Sequence, residues 1–384
     1  MPNPIHHITI NGFKSIRRLE RFELRDLNIL IGPNGSGKSN FVSYFRMLAE
    51  MVEGRLQEWV RRQGSADRIL SFGIKETQIL ESEIVFNSKE REIIYCRDEI
   101  DVENNYGFAL FPTTDEGLAF KAETHTRHGD WGSGGTHFRH SLSSAYRESL
   151  LQDCANRGGG GAKKCFQTIS NWKVYHFHDT GDTAGMKRLG AVHDNAYLRS
   201  DASNLAAFLY RLLDESPDVY EEIRKTVRLA IPFFDDFTLK PQPLKTGEEQ
   251  IRLLWRQKGS DYPLWPSQLS DGSLRFICLV TALLQPIPPS TIIIDEPELG
   301  LHPYAITLLG ALLRSASKRM QVVVSTQSVP LLNEFSLSDL IVVERENDET
   351  VFKRLNEQEF STWLEDYSIG ELWEKNILGG RPQQ

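Results

Sequence analysis

The sequence predicts an α/β fold built on a mixed sheet, with an antiparallel β meander and a short insertion added to it. Three features of the 384-residue chain predict this fold. A glycine-rich turn joins an apolar strand to an amphipathic helix near residue 35. Four strand-like segments follow one another between residues 79 and 126. Helix and strand then alternate through the last third of the chain, which is typical of βα units on a largely parallel sheet.

Composition limits the class of protein before any motif is considered. The chain is 40% hydrophobic and 25% charged, which excludes wholesale disorder and a disulfide-stapled scaffold. Its net charge of −8 excludes a globally basic surface, although a local basic patch is still allowed. The longest apolar run, Phe276–Leu284, is too short to span a membrane. The four cysteines have no CxxC spacing and the amino terminus has no signal pattern, so we expect reduced thiols in a cytoplasmic protein.

The individual elements follow from apolar periodicity and from turn residues. Strands are predicted where short apolar runs end at polar or glycine-rich turns: Ile5–Ile10, Leu27–Ile31, Ile79–Phe86, Glu92–Arg97, Tyr106–Phe111, Ala119–Thr126, Trp172–His178, Thr291–Ile294, Gln321–Val324 and Leu340–Val343. Helices are predicted where apolar residues recur at helical spacing: from Ser39, over Ser141–Cys154, over Ser203–Leu213, after Ser216 as N-cap, and over Ser273–Leu284, Tyr304–Ser317 and Val329–Phe335.

These elements suggest a division of the chain into four parts. Residues 1–75 form one lobe, which contains the glycine-rich turn, and 76–126 form the antiparallel meander. Residues 127–170 contain two glycine-rich stretches, and we interpret them as a flexible insertion or arm. Residues 171–384 form a second lobe that completes one head together with 1–75.

The glycine-rich turn fits the P-loop pattern GxxxxGK[ST]. Such a loop turns backbone N–H groups inward around phosphates, at the positive end of the following helix. Lys38 would reach the β- and γ-phosphates, and the Ser39 hydroxyl would bind Mg²⁺. A chance match is the alternative, but the strand before the loop and the helix after it argue against one. The predicted phosphate-binding set is Gly32, Pro33, Asn34, Gly35, Ser36, Gly37, Lys38, Ser39 and Asn40.

A second motif is the apolar strand Thr291–Ile294, which ends in Asp295 and Glu296. Asp295 at the strand tip would complete the Mg²⁺ shell, and Glu296 would polarise the attacking water. Taken alone, such a pair is usually a solvated loop. Together with a P-loop it indicates nucleotide hydrolysis.

The third motif, Leu269–Ser273, opens an amphipathic helix shortly before the acidic strand. Ser270 and Gly272 at a free helix N-terminus suit the binding of a γ-phosphate. The simpler alternative is that Ser270 or Asp271 is an ordinary N-cap.

With these motifs in this order, residues 5–55 and about 170–345 resemble the ABC-type ATPases of the SMC/RecF/OLD group, and most of all the AAA-family ATPases of bacterial genome maintenance and anti-phage defence. The resemblance implies the P-loop NTPase fold of an ABC-ATPase head and the cofactors ATP and Mg²⁺. It also implies a homodimer in which ATP lies between two heads. The P-loop and the acidic pair of one chain would face Ser270 and Gly272 of the other, and residues 300–302 would lie at the interface.

Two positions depart from that family pattern. The residue that is usually a switch histidine is Gln327, which can hydrogen-bond but cannot become cationic. We therefore assign Gln327 a catalytic role beside Lys38 and Glu296, and we expect slow or partner-dependent hydrolysis. The strand Trp172–His178 stands where a Q-loop is expected but ends in His178-Asp179, without a glutamine.

The resemblance suggests a switch ATPase that regulates a separately encoded, nuclease-like effector in anti-phage defence. The segment between Ser39 and Leu269 is too short for long coiled-coil arms, and we expect no fused TOPRIM nuclease. The alternative is a RecF-like ATPase that clamps DNA for repair. A transporter subunit is disfavoured by the meander and by the form of the third motif, Leu269–Ser273, which corresponds to the signature segment of the family.

Two further groups of residues invite functional hypotheses. His125, His128, His137 and His140 beside Asp130 have spacings that could bind zinc, but we interpret them as surface histidines. Three basic pairs could contact a nucleic-acid backbone, and solvated surface charge is the simpler interpretation of each. These pairs are Arg17-Arg18, Arg61-Arg62 and Lys163-Lys164.

Overall fold

A computed structural model describes residues 4–86, 91–94, 98–129, 136–143, 146–158 and 160–379. Its strands are β1 Ile5–Phe13, β2 Ile16–Glu23, β3 Leu27–Ile31, β4 Leu80–Phe86, β5 Arg91–Ile94, β6 Asp98–Pro112, β7 Leu118–Gly129, β8 Thr136–Ser143, β9 Lys173–Tyr175, β10 Gly190–Ala191, β11 Phe234–Thr238, β12 Gln242–Pro243, β13 Glu249–Ile251, β14 Leu254–Gln257, β15 Thr291–Asp295, β16 Gln321–Thr326, β17 Leu340–Glu346 and β18 Glu349–Arg354.

The α-helices lie between and after these strands. They are α1 Lys38–Val52, α2 Leu56–Gln63, α3 Ala66–Ile69, α4 Leu151–Asn156, α5 Gly160–Ser170, α6 Leu205–Glu215, α7 Pro217–Ala230, α8 Asp271–Leu284, α9 Pro303–Ser317, α10 Val329–Leu332, α11 Glu357–Asp366 and α12 Ile369–Glu374. No helix in the described ranges combines the length and the apolar character that crossing a membrane requires.

The central sheet of the described structure has six strands in the order β18-β17-β3-β16-β15-β9. All neighbours in it pair in parallel except β18, which is antiparallel to β17. Because parallel strands share one direction, the carboxyl ends of β3, β16 and β15 meet at the same edge of the sheet. The alternation of helix and strand predicted for the last third of the chain is confirmed.

Two hydrophobic cores lie on opposite faces of this sheet. Ile292 and Ile294 of β15 belong to the core packed by α6, α7, α8 and α9, whereas Ile293 between them belongs to the other core. Successive side chains of a strand point to opposite faces, so one strand contributes to both. The second core is completed by α1 and by the meander.

The predicted antiparallel meander is confirmed, and it also contains the amino-terminal hairpin. Its strands run in the order β2-β1-β4-β6-β7-β8, with β5 paired to β6. Strand β7 continues to residue 129, so the meander extends past the boundary predicted at residue 126. The end of the predicted strand Glu92–Arg97 lies outside the described residues.

The helix predicted over Ser141–Cys154 is wrong. Residues 136–143 form β8, which pairs with β7, and α4 begins only at residue 151. The glycines at 158–161 predict a flexible loop, yet Gly161 lies inside α5. A Cβ on Gly161 would lie 3.2 Å from Nδ1 of His125, so the glycine permits close packing of α5 on the meander.

Several other predicted boundaries differ from the structure. The strand predicted over Trp172–His178 is only three residues long, because the N–H of His176 already donates to the carbonyl of Ser200, 2.9 Å away. The helix predicted over Val329–Phe335 ends at Leu332. The strands β11 to β14 were not predicted, and they precede the signature segment in the chain.

Candidate nucleotide site

The central sheet brings the predicted motifs together at one edge. The glycine-rich loop follows β3, Gln327 follows β16 and Glu296 follows β15, and these three strands are neighbours. Ile31 is in register with Thr326, and Ser325 is in register with Asp295. Elements far apart in the sequence therefore converge where open parallel sheets usually bind their ligands.

The loop between β3 and α1 is shaped to receive phosphate. Gly35 and Gly37 have φ angles of 77° and 109°, which favour glycine. Helix α1 has no side-chain cap at its N-terminus. In the described hydrogen bonds, the N–H groups of Gly35, Gly37, Lys38 and Ser39 have no acceptor. Orphan donors at a helix N-terminus form an anion site, so the loop fits the triphosphate of ATP.

A small network of polar side chains holds the P-loop in its conformation. The Thr350 hydroxyl donates to the carbonyl of Ser36 at 2.8 Å and lies 2.6 Å from the hydroxyl of Ser15. Asn40 donates to the same Ser15 hydroxyl at 2.7 Å. A Cβ on Gly37 would overlap with Thr350, which makes glycine obligatory there. Sequence patterns could not identify Ser15 and Thr350, because they are 335 residues apart and belong to no motif.

Lys38 lies within the loop itself. Its ammonium donates to the carbonyls of Gly32 at 2.7 Å and of Pro33 at 2.9 Å. Burial lowers the pKa of Lys38, and the nearby carboxylates, Glu296 first among them, oppose that shift. A partly desolvated ammonium interacts strongly with a phosphate, since less water screens it.

The acidic pair is held in a defined conformation. The Asp295 carboxylate accepts a hydrogen bond from the Ser325 hydroxyl on the neighbouring strand. Glu296 has a φ of 45°, and its N–H donates to the carbonyl of Ser325 at 2.8 Å. A non-glycine residue in the left-handed region is strained and occurs often at functional sites. The side chain of Glu296 consequently leaves the strand direction and turns toward Gln327.

Gln327 joins the P-loop to the acidic pair. Its Nε2 donates to Oε1 of Glu296 at 2.6 Å and to Oδ1 of Asn34 at 2.7 Å. Gln327 does not cap the next helix, because Ser328 caps α10 by accepting from the N–H of Leu331. A neutral amide therefore lies against the carboxylate assigned to water activation.

We expect Gln327→His to raise the turnover of ATP about tenfold, because an imidazolium contact worth about 1.4 kcal/mol would be added where negative charge develops. Gln327→Ala should lower it, since Glu296 would lose its hydrogen-bond donor. Steady-state kinetics of the three proteins between pH 6 and 8 provide the measurement. A titration near pH 6.5 should appear only in the histidine variant. Equal rates for all three would show that residue 327 has no part in the reaction.

Glu298 is a second carboxyl group that sequence reasoning missed. Its Oε1 accepts hydrogen bonds from the Thr326 hydroxyl at 2.5 Å and from the N–H of Gln327 at 3.2 Å. Its Oε2 is buried and has no hydrogen-bond partner in the described structure. Burial raises the pKa of Glu298, and the charge of Glu296 raises it further. Glu298 thus positions the backbone that carries Gln327.

The signature segment opens helix α8, as predicted, and it also contacts the loop after Glu296. Ser270 caps α8 by accepting from the N–H of Ser273 at 3.1 Å, which is the simpler role considered above. Gly272 packs so closely on the carbonyl of Gly300 that a Cβ would overlap with it. The described hydrogen bonds of Ser270 do not include a P-loop residue.

Arg275, one turn further along α8, joins three parts of the site. Its guanidinium donates to the carbonyls of Phe177 at 2.9 Å, of His178 at 3.4 Å and of Leu299. Burial lowers the pKa of Arg275. The signature helix is therefore fixed to the segment after β9 and to the loop after Glu296, a contact that no sequence motif indicated.

The two histidines after β9 lie beside the acidic strand. Nε2 of His178 is 3.2 Å from the carbonyl oxygen of Asp295, so this residue supports the strand tip. Burial, together with the charge of Arg46, lowers the pKa of His176 to about 4. His176 is therefore neutral at pH 7 and contributes no titration near pH 6–7.

The structure gives no support to the alternative in which the four histidines between residues 125 and 140 bind zinc. The backbone pairing of β7 and β8 places His125 opposite His140 and His128 opposite His137. His125 is buried, so its interpretation as a surface residue is wrong, while the other three side chains and Asp130 lie outside the described residues. Among the side chains that are described, no three His, Cys, Asp or Glu residues come together around a metal position.

The three cysteines that the structure describes, Cys154, Cys165 and Cys278, are free thiols, as predicted. Cys96 lies outside the described residues.

A P-loop, a strand-tip acidic pair and a signature helix on one mixed sheet define an ATPase of the P-loop class with an ABC-type head. The chain matches, over residues 27–333, the family described as "AAA domain, putative AbiEii toxin, Type IV TA system". It belongs to this family, and the resemblance to SMC/RecF-like ATPases is confirmed.

Solved structures support the same fold. An SMC head bound to the C-terminal winged-helix domain of ScpA has a TM-score of 0.58 at 14% identity, with 93% of this chain and 99% of that chain covered. An SMC head from Pyrococcus furiosus with an extended coiled coil, bound to the C-terminal domain of ScpA, has a TM-score of 0.56 at 14% identity, with 94% and 99% covered.

A sequence relative is the DNA repair protein RecN of Aquifex aeolicus, 31% identical over 90 residues. That match spans 23% of this chain and 17% of RecN.

Proposed function

We propose that this protein is a cytoplasmic ATPase that dimerises around two Mg·ATP and acts as a conformational switch on a separately encoded, nuclease-like effector in anti-phage defence. The observation that carries the ATP assignment is the set of orphan N–H groups at the uncapped N-terminus of α1, with Lys38 inside the same loop. These donors suit phosphate, because the first N–H groups of a helix have no acceptor within the helix itself.

The residues present also fit the cofactors. The P-loop from residue 32 to 40 would hold the triphosphate, and Ser39 with Asp295 would hold Mg²⁺. When bound, Mg²⁺ would neutralise part of the negative charge of the phosphates. Glu296 would accept a proton from the attacking water, and the Gln327 amide, 2.6 Å away, holds that carboxylate in place.

The face around the signature segment supports a homodimer. Trp265, Leu299 and Tyr304 are each about half exposed, at 50%, 49% and 53%. Leu299 is joined to α8 through Arg275, and Gly300 packs on Gly272, so Leu299 lies beside the signature segment, with Trp265 a few residues before that segment and Tyr304 in the first turn of α9. Exposed apolar groups around a phosphate-binding motif are suited to burial against a second copy.

Light scattering tests the dimer. Glu296→Gln should double in mass when Mg·ATP is added, because nucleotide would be bound and retained. The matched control, Glu296→Gln with Ser270→Arg, should remain a monomer, since the arginine obstructs the signature of each chain. A mass unaffected by ATP in both proteins would contradict the ATP-dependent dimer.

The proposal of a separately encoded effector is supported by the description of the matching family. The matching family is described by reference to a toxin–antitoxin system, which is an arrangement of two proteins. That description favours a separately encoded partner over a self-sufficient enzyme. Co-expression with the adjacent reading frame should give a complex whose amount changes with ATP, and the absence of any complex would argue against an effector.

A RecF-like DNA clamp is the second candidate, favoured by the RecN match. The basic pairs weaken it. Arg17 lies 3.2 Å from Glu349 and Arg18 lies 2.7 Å from Glu20, so carboxylates already neutralise part of that charge. Duplex DNA binding with a steep salt dependence would favour the clamp over the effector switch.

A further inference from the structure

A large cavity lies away from the P-loop, between α5 and α6, and the chain between α8 and β15 closes one side of it. Its volume is about 770 Å³, within the range typical of sites for small molecules. None of the P-loop residues and neither Glu296 nor Gln327 lines it. It is therefore a separate candidate site.

The cavity lies where the two hydrophobic cores meet. One wall is formed by Gln167 and Thr168 of α5, and the buried Ile169 of the same helix belongs to the core of the meander. On the other wall, Phe208 and Leu212 of α6 belong to the core of the signature lobe and line the cavity directly. Junctions between packed units are preferred places for ligands, since neither unit alone closes them.

The charge of the lining is positive. Lys164, Lys173 and Arg211 line the cavity, and Glu215 is its one carboxylate in the described residues. Arg211 is already engaged, because it lies 2.5 Å from Glu215 and donates to the carbonyl of Ala196 at 2.8 Å. The charge of Glu215 is thus compensated by Arg211 within the wall, and Lys173 leaves a positive charge at the cavity.

Lys173 is the distinctive group. It is half-buried at the start of β9, where burial lowers its pKa and the charge of Glu53 opposes that shift. No ion pair in the described part of the chain includes Lys173. Its ammonium instead lies 4.6 Å from the centre of the Tyr197 ring. A partly desolvated cation that lacks a salt-bridge partner and lies beside a cavity can be stabilised by an anion that enters.

The ring of Tyr197 is a planar surface at the cavity. Its side chain is 54% exposed, although it lines the cavity. Its backbone carbonyl accepts from Nδ2 of Asn204 at 2.8 Å, and Asn204 is only 4% exposed. A buried amide therefore fixes the backbone that carries the ring, and an exposed aromatic ring can stack on a planar ligand.

We propose that this cavity binds a small anion with a planar ring, of the nucleoside monophosphate class. The phosphate lies against Lys173 and the ring stacks on Tyr197, with Phe208 and Leu212 forming the apolar floor. Occupancy of this site does not depend on the proposed ATPase function, because the two sites share no residue among those named.

Calorimetric titration with AMP tests the site in the Lys38→Ala protein, which removes the main phosphate contact of the P-loop. We expect saturable binding that Lys173→Gln weakens at least about tenfold and that Lys173→Arg retains. Tyr197→Ala should also weaken it. The matched control is Lys163→Gln, an exposed neighbour outside the cavity lining, which should bind AMP unchanged.

Two ligands that each contain one part of AMP separate the contribution of the phosphate from that of the ring. Inorganic phosphate alone and adenosine alone should each bind more weakly than AMP, because each lacks one contact. Absence of saturable AMP binding, or equal binding by Lys173→Gln and its parent, would overturn the proposal. Unchanged melting temperatures of the variants would show that any loss arises at the site.

Discussion

Glu296→Gln is expected to bind ATP normally and to lose at least about 100-fold in turnover, the usual cost of removing a general base. The amide is nearly the same size as the carboxylate, so the hydrogen bond with Gln327 can persist. Only the capacity to accept a proton from water is lost. Phosphate release measured beside nucleotide binding gives both quantities on one preparation.

The matched control is Glu357→Gln, which removes an exposed carboxylate from the first turn of α11. It should leave binding and turnover unchanged. If Glu296→Gln retained its turnover, Glu296 would not be the catalytic group, and the buried Glu298 would be the next carboxyl group to replace.

Lys38→Ala is expected to abolish ATP binding at the P-loop. The ammonium lies inside the loop, 2.7 Å from the Gly32 carbonyl, so its loss removes the cation nearest the predicted phosphates. Titration with a fluorescent ATP analogue measures the effect. Lys240→Ala, at an exposed position, should bind as the unaltered protein does. Retained affinity in Lys38→Ala would show that the loop does not hold the triphosphate.

The parts of the site that could be predicted from sequence are the local ones. The P-loop, the acidic strand and the signature are each short segments whose chemistry is contained in adjacent residues. Their convergence could also be expected, because parallel strands present their carboxyl ends at one edge. Asp295 and Ser325 stand in register there, as this argument requires.

The parts that could not be predicted depend on contacts between distant residues. Thr350 holds the P-loop from a hairpin more than 300 residues away. Arg275 reaches carbonyls on two other segments. Glu298 follows directly after the acidic pair, but only the fold shows that its carboxyl is enclosed and bonded to the backbone of Gln327.

The wrongly predicted helix over Ser141–Cys154 has a similar cause. Strand β8 forms because β7 offers it an edge, and this tertiary pairing overrides local preference. At Gly161 a local signal is also misleading. Its lack of a side chain predicts flexibility, whereas in the structure it allows α5 to pack closely against His125.

The central claim is that each ATP site is completed by a second copy of the chain, and mixing two inactive variants tests it most directly. Lys38→Ala lacks a working P-loop and Ser270→Arg lacks a working signature, so each alone should be inactive. In a mixed dimer, one site contains both defects and the other contains neither. An equal mixture should therefore recover roughly a quarter of the unaltered turnover. A mixture no more active than either parent would contradict a site shared between two chains.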